Sequence, residues 1–196
     1  VTTLHDVGPV WPDAAKVINN FGVAIHRDDR EPRPDLLDEG GPYIHTILDA
    51  DAVRSHAPDL VAWYHDAIPT IERVVGAPVT TSPHESSDIT AKLYPGGIGC
   101  QGWHRDTNPV TVLAYLTDTG SPTVIDLGTH RPCAEIHPQV GAVLVFPGRR
   151  LRHYVPATPY DRVTVSFNYY TLGDDWRPRG IDELAYGHHP ERGHDG

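Results

Sequence analysis

From Asp88 to Thr171 the sequence leaves no room for a long helix. Short runs of β-branched, aromatic and aliphatic residues are cut every few positions by Gly, Pro, Asp or Thr. This punctuation predicts strands over Ile89–Tyr94, Val110–Thr117, Thr123–Leu127, Cys133–Ile136, Ala142–Phe146, Leu151–Val155 and Arg162–Thr171. So many strands in about 85 residues, with no helical pattern between them, argue against alternating βαβ units and for a sandwich or barrel. In the last run Val163, Val165, Phe167 and Tyr169 share one face, while Arg162, Thr164, Ser166, Asn168 and Tyr170 share the other. The apolar face is expected to pack on helices; the polar face either meets water or lines a ligand cavity.

Those helices are expected before the strands. Ala14 to Asn20, led by Pro12 and Asp13 and closed by Gly22, reads as a short helix, followed by a strand over Gly22–His26. Asp49 or Asp51 is placed to cap a helical region reaching about Val75, in which Leu60, Tyr64, Ala67, Ile68, Ile71, Val74 and Val75 repeat as one buried face. Pro58 suits a first turn, Pro69 splits or kinks the run, and Trp63 and Tyr64 read as core. Residues 27–42 and 76–87 have the Pro, Gly and charge of loops, the first of which either approaches a site or covers a sheet edge. Residues 1–196 are expected to form one domain: a helical support region with loops over 1–87, a strand core over 88–171 and a polar tail over 172–196. His188, His189 and His194 in that tail are expected to be poorly ordered.

Charge narrows the partners. Lys and Arg number 16 against 26 Asp and Glu, a formal charge of -10, which argues against a nucleic acid backbone or an anionic membrane surface. No apolar run approaches a membrane span and no signal-peptide layout opens the chain, so a soluble cytoplasmic protein is expected. Cys100 and Cys133 form no disulfide pattern, and nothing in the sequence sets the oligomeric state.

The chemistry concentrates in Tyr94–Asp106, where Gly96, Gly97, Gly99 and Gly102 precede His104 and Asp106. In an extended segment residues two apart project from one face, so an imidazole and a carboxylate here can grip one metal ion. A third ligand is needed, and His153, on a strand after the Gly141–Gly148 run, is the strongest candidate. Arg162, nine residues on, is able to hold a carboxylate. Arg152 adjoins His153 and so faces the other side of its strand. The same His-Arg-Asp tripeptide at 26–28 has no glycine run before it and is assigned no metal.

Taken together, Tyr94-Pro-Gly-Gly, His104-x-Asp106, Ala114-Tyr115-Leu116-Thr117, Gly141 with Phe146-Pro147, His153-x-Val155-Pro156 and Arg162 resemble the iron(II)- and 2-oxoglutarate-dependent oxygenases, nearest the prolyl-hydroxylase-like branch. The resemblance spans about Asp88–Thr171. It implies a mainly β double-stranded β-helix, or jelly roll, buttressed by N-terminal helices. It further implies iron held by His104, Asp106 and His153, with 2-oxoglutarate and O2 as cosubstrates. Arg162 and Tyr115 would then hold the distal carboxylate of 2-oxoglutarate, with Tyr94 and Thr164 beside it. Two imidazoles and one carboxylate take one face of an octahedral iron and leave three positions open.

Hydroxylation of a small molecule or amino-acid-derived substrate, releasing succinate and CO2, is the implied activity. Asp106 favours hydroxylation, desaturation or cyclisation over halogenation, because related halogenases lack that carboxylate. Gln101, Trp103 and Arg105 flank the metal pair and are candidates for meeting substrate. A peptidyl-prolyl hydroxylase, a non-catalytic cupin-like metal-binding or sensing barrel, and a zinc hydrolase on the same three ligands are the competing readings. Only the oxygenases need the paired anchor of Arg162 and Tyr115.

Overall fold

The computed structural model describes residues 1–27, 32, 37, 39–118, 120–128, 131–157 and 159–176. The fold is mainly β, with a curled antiparallel sheet of jelly-roll type backed by helices. The strands are β1 (Thr2–Leu4), β2 (Val23–Arg27), β3 (Tyr43–Leu48), β4 (Val79–Thr81), β5 (Ile89–Tyr94), β6 (Cys100–His104), β7 (Val110–Tyr115), β8 (Thr123–Ile125), β9 (Ala134–Ile136), β10 (Val143–Phe146), β11 (His153–Val155) and β12 (Arg162–Thr171). Their order in the sheet is β1-β10-β7-β12-β5-β3-β6-β11-β8-β9, with β2 on β3 and β4 on β12.

Four helices, α1 (Ala14–Phe21), α2 (Ala50–His56), α3 (Pro58–Asp66) and α4 (Ile68–Val75), cover one face. The expected helical region is broken twice: at Ala57, directly ahead of Pro58 and out of helical geometry at φ -144°, and at Ala67, two residues ahead of Pro69, where α3 ends and α4 begins with the proline in its first turn. Asp49 caps α2 by accepting from the Ala52 amide at 3.0 Å. Gly76 closes α4 at φ 75°, a conformation that favours glycine.

Ile18, Val53, Leu60, Tyr64 and Ile71 of the helices share one buried cluster with Val163, Val165, Phe167 and Tyr169, so the apolar face of β12 packs on the helices as its alternation predicts. Tyr64 knits the two layers: its hydroxyl donates to the Asn168 carbonyl at 2.5 Å and accepts from the Ser82 amide at 2.7 Å. Trp63 packs partly buried against the same cluster and donates to the Val7 carbonyl.

Several strands differ from expectation. β1, β3, β4 and β6 form where no strand, or only loop, is predicted. β3 alternates buried Tyr43, His45 and Ile47, but it lies between a Pro- and Gly-rich segment and a helix cap that obscure its period. β6 reads Cys-Gln-Gly-Trp-His and has no β-branched residue to signal it. Much of the 27–42 segment and all of the tail beyond residue 176, with His188, His189 and His194, lie outside the described residues, as does Asp28 of the second His-Arg-Asp. Among the described residues no helix is long and apolar enough to cross a membrane.

Candidate metal centre

β6 and β11 pair antiparallel with His104 directly opposite His153, but the register shifts so that Gln101 faces Val155. That irregularity gives β6 an extra residue and turns Gln101 and His104, three apart, to the same side. Gly102 sits inside it because the chain runs close to its neighbour: a Cβ there would lie 2.5 Å from the Gly40 carbonyl oxygen. Trp103 is thrown outward, against Tyr154 with ring centroids 4.4 Å apart and under the Arg152 guanidinium at 4.9 Å.

His104, Asp106 and His153 each bring one ligand atom into a group in which all lie within 4.8 Å of one another. His104 Nδ1 bonds the Gly102 carbonyl at 2.8 Å and His153 Nδ1 the Leu151 carbonyl at 3.2 Å. Carbonyls only accept, so each imidazole carries its proton on Nδ1 and leaves the Nε2 lone pair for a metal. Asp106 Oδ1 lies 3.8 Å from His104 Nε2 and 3.7 Å from His153 Nε2, too far for direct hydrogen bonds and close enough to share an ion. Its other oxygen, Oδ2, accepts from the Thr111 hydroxyl at 2.5 Å. The chemistry of the donor set fits a divalent metal that accepts nitrogen and oxygen ligands.

The electrostatics agree. Burial, aided by neighbouring His153, holds the His104 pKa well below the usual imidazole value, so the ring stays neutral. Burial alone would raise the Asp106 carboxyl, but neighbouring His153 and the hydrogen bond from the Thr111 hydroxyl lower it and keep the group ionised.

Arg162 lies behind this group at 0% exposure. It faces Tyr94 across β5–β12, and its guanidinium carbon lies 5.8 Å from the Tyr94 ring and 5.4 Å from the Tyr115 ring. Its donors reach the Ser121 and Pro122 carbonyls, each at 3.1 Å, and Thr123 Oγ1 at 2.5 Å, while its buried Nε has no partner. Among the described residues every acceptor around this cation is neutral, which leaves room for an anion to complete it. The Tyr115 hydroxyl shares a hydrogen bond with Thr123 at 3.0 Å, and Thr164 pairs with Tyr115 across β7–β12.

Hydrogen bonds, ring contacts and strand pairs thus connect Tyr94, Gln101, His104, Asp106, Tyr115, His153, Arg162 and Thr164 into one group. Trp103 and Arg105 stand apart from it: Arg105 lies 3.4 Å from Glu39, and Arg152, beneath which Trp103 stacks, bonds Asp126 and Glu39. Sequence reasoning does not single out Thr111, Gly148, His45 or Lys92. Of these, Lys92 alone carried a readable signal, as a cation in the middle of an apolar strand.

No protein-family model matches the sequence, and no curated protein matches it. Solved structures do. An oxidoreductase of the 2OG-Fe(II) oxygenase family from Burkholderia pseudomallei superposes with a TM-score of 0.60 at 13% identity, over 80% of this chain and 76% of that one. A prolyl hydroxylase from Trichoplax adhaerens, solved with a hypoxia-inducible-factor peptide, gives 0.57 at 15% identity over 89% and 84%. The epimerase SnoN, solved with Fe3+, α-ketoglutarate and a nogalamycin compound, gives 0.59 at 15% identity over 99% and 87%. At these identities the likeness establishes the fold.

Proposed function

We propose that this protein is a non-haem iron, 2-oxoglutarate-dependent oxygenase that oxidises a C–H bond of a small molecule, with succinate and CO2 as coproducts. The observation that carries this reading is the pairing of a convergent His104–Asp106–His153 group with a buried cation, Arg162, that has no anionic partner among the described residues. A metal-binding barrel without turnover has no use for the second feature.

His104, Asp106 and His153 would hold iron(II), with Thr111 fixing the carboxylate and the two backbone carbonyls fixing the imidazoles. Arg162 and Tyr115 would receive the distal carboxylate of 2-oxoglutarate, and the enclosure of Arg162 strengthens that ion pair by excluding water. Burial raises the pKa values of Tyr94 and Tyr115, so both stay neutral beside the anion, with the Tyr94 proton given to Gln101 and the Tyr115 hydroxyl able to turn to the carboxylate. Iron(II) with 2-oxoglutarate and O2 supplies the oxidising chemistry, and the interior face of β5, β7 and β12 shields it.

The test is anaerobic addition of iron(II) and 2-oxoglutarate, read as the visible absorption of the metal chelate, followed by succinate release across candidate substrates. The band should appear with wild type, be lost in Asp106→Ala and need far more 2-oxoglutarate in Arg162→Ala. No band with wild type overturns the assignment. A band unchanged in Arg162→Ala removes the anchor.

A further inference from the structure

The chain has two lysines, and they differ sharply in setting. Lys16 is exposed on α1. Lys92 lies in the middle of β5 on the interior face, opposite Thr164 of β12 and Ile47 of β3, where solvent still reaches part of its side chain. An ammonium carries three donors. Among the described residues one acceptor meets them, Gln101 Oε1 at 3.0 Å, and no carboxylate comes within ion-pair distance. The Tyr94 hydroxyl donates to the same oxygen at 2.8 Å. Two donors on Oε1 fix the orientation of the Gln101 amide, so its nitrogen points at His104 Nε2, 2.9 Å away.

That contact cannot coexist with a metal on His104, because one lone pair serves one partner. Metal binding therefore frees an amide N–H group beside an ammonium with spare donors. The charge balance moves the same way. Burial lowers the Lys92 pKa, and Asp106 is the one anion whose field works against that; a bound cation takes up that field, so a further anion is what keeps the ammonium charged. With iron and 2-oxoglutarate in place, Asp106 and the cosubstrate supply three negative charges against the two of the metal and one each from Arg162 and Lys92. One positive charge is left over at a largely buried site, a state that favours binding of a further anion.

We infer that Lys92 and Gln101 form an anion subsite beside the metal centre and that it takes a carboxylate of the substrate, making the substrate an organic acid. The two donors come from two side chains and suit the two oxygens of a carboxylate. Arg162 is a separate station, on another strand, enclosed and turned to Tyr94 and Tyr115. This inference rests on the oxygenase reading and deepens it.

With only two lysines, 13Cε-lysine labelling gives two signals, and Lys16 serves as the internal control. Protein loaded with zinc(II) and saturating 2-oxoglutarate is titrated with hexanoate and, separately, with hexanamide. Hexanoate should shift the Lys92 signal saturably at a concentration at least tenfold lower than hexanamide, with Lys16 unmoved. Lys92→Gln should weaken hexanoate binding, followed by ligand-observed NMR, at least tenfold and leave 2-oxoglutarate affinity within twofold; Lys92→Arg should keep the preference for the acid over the amide.

Equal binding of acid and amide overturns the inference. So does a Lys92→Gln variant that loses 2-oxoglutarate, since Lys92 would then be the cosubstrate anchor. Arg162→Gln separates the two layers. If 2-oxoglutarate binds and depends on Arg162 but hexanoate ignores Lys92, the subsite alone fails; if 2-oxoglutarate does not bind wild type at all, the oxygenase reading falls and takes the subsite with it.

Discussion

Gly148 follows β10 at the turn facing Asp106, and replacing it with alanine tests how the carboxylate is aimed. Its carbonyl accepts the Asp106 amide at 3.1 Å. A Cβ at this position would lie 2.8 Å from Asp106 Oδ2, 2.9 Å from Asp106 Cβ, and in overlap with Thr111 Oγ1. None of these atoms is the free end of a long side chain. Thr111 Oγ1 donates to Asp106 Oδ2 and accepts from Asn108 Nδ2 at 2.8 Å, and Asn108 Nδ2 also bonds the Val110 carbonyl at 2.6 Å. The methyl must therefore either rotate the Thr111 hydroxyl away from the carboxylate or push the turn off the Asp106 amide.

Overpacking of this kind costs about 1–3 kcal/mol of stability. Losing the outer partner of a metal-binding carboxylate costs about 10–100-fold in metal affinity, roughly 1.4–2.7 kcal/mol. Gly148→Ala should therefore lower the urea midpoint and raise the zinc dissociation constant, measured by competition with a chromophoric chelator, by at least tenfold. Thr111→Val keeps the volume, removes only the hydroxyl, and should produce most of the affinity loss. A Gly148→Ala protein that unfolds cooperatively and binds zinc like wild type would refute the claim that this close approach aims Asp106.

Two further outcomes are expected. Tyr64→Phe leaves the buried Ser82 amide without its acceptor and the Asn168 carbonyl without its donor, so urea unfolding should show a loss of about 1–3 kcal/mol while metal affinity holds; an unchanged midpoint would show that the layers are held by apolar contact alone. Burial holds the His45 pKa well below the usual value, so the unfolded chain takes up a proton on this residue as pH falls through about 6.5 and the folded chain does not. Stability of the metal-free protein should thus fall from pH 7 toward 5, with at most about 1.4 kcal/mol per pH unit from this residue, and His45→Leu should flatten the slope; an equal slope in that variant would mean the proton is taken up elsewhere.

The fold was legible where a single face decides the sequence. β12 is ten residues long, its alternation is unbroken, and both faces lie where the period puts them. β3 and β6 were not legible, because what makes them strands is their partners. β3 pairs with β2, β5 and β6, and β6 gains its order from β3 and β11, contacts that no local propensity encodes.

The site shows the same division more finely. The spacing of His104 and Asp106 pointed to one metal, yet the physical reason differs from alternation along a strand. β6 ends at His104, and Asp106 lies beyond it, set by the Gly148 carbonyl and the Thr111 hydroxyl. Strict alternation would also put Gln101 and Trp103 on one face; the register shift puts Gln101 with His104 and sends Trp103 out to Arg152 and Tyr154. One extra residue in β6 therefore decides which neighbours of the ligands face the cavity. Spacing between potential ligands survives such a shift, because the ion closes the geometry; the identity of the side chains beside them does not. Gln101 stands out by its place beside the ligands and Lys92 as a cation in an apolar strand, but that the two meet, with the Gln101 amide against His104, becomes visible only once the strands are paired.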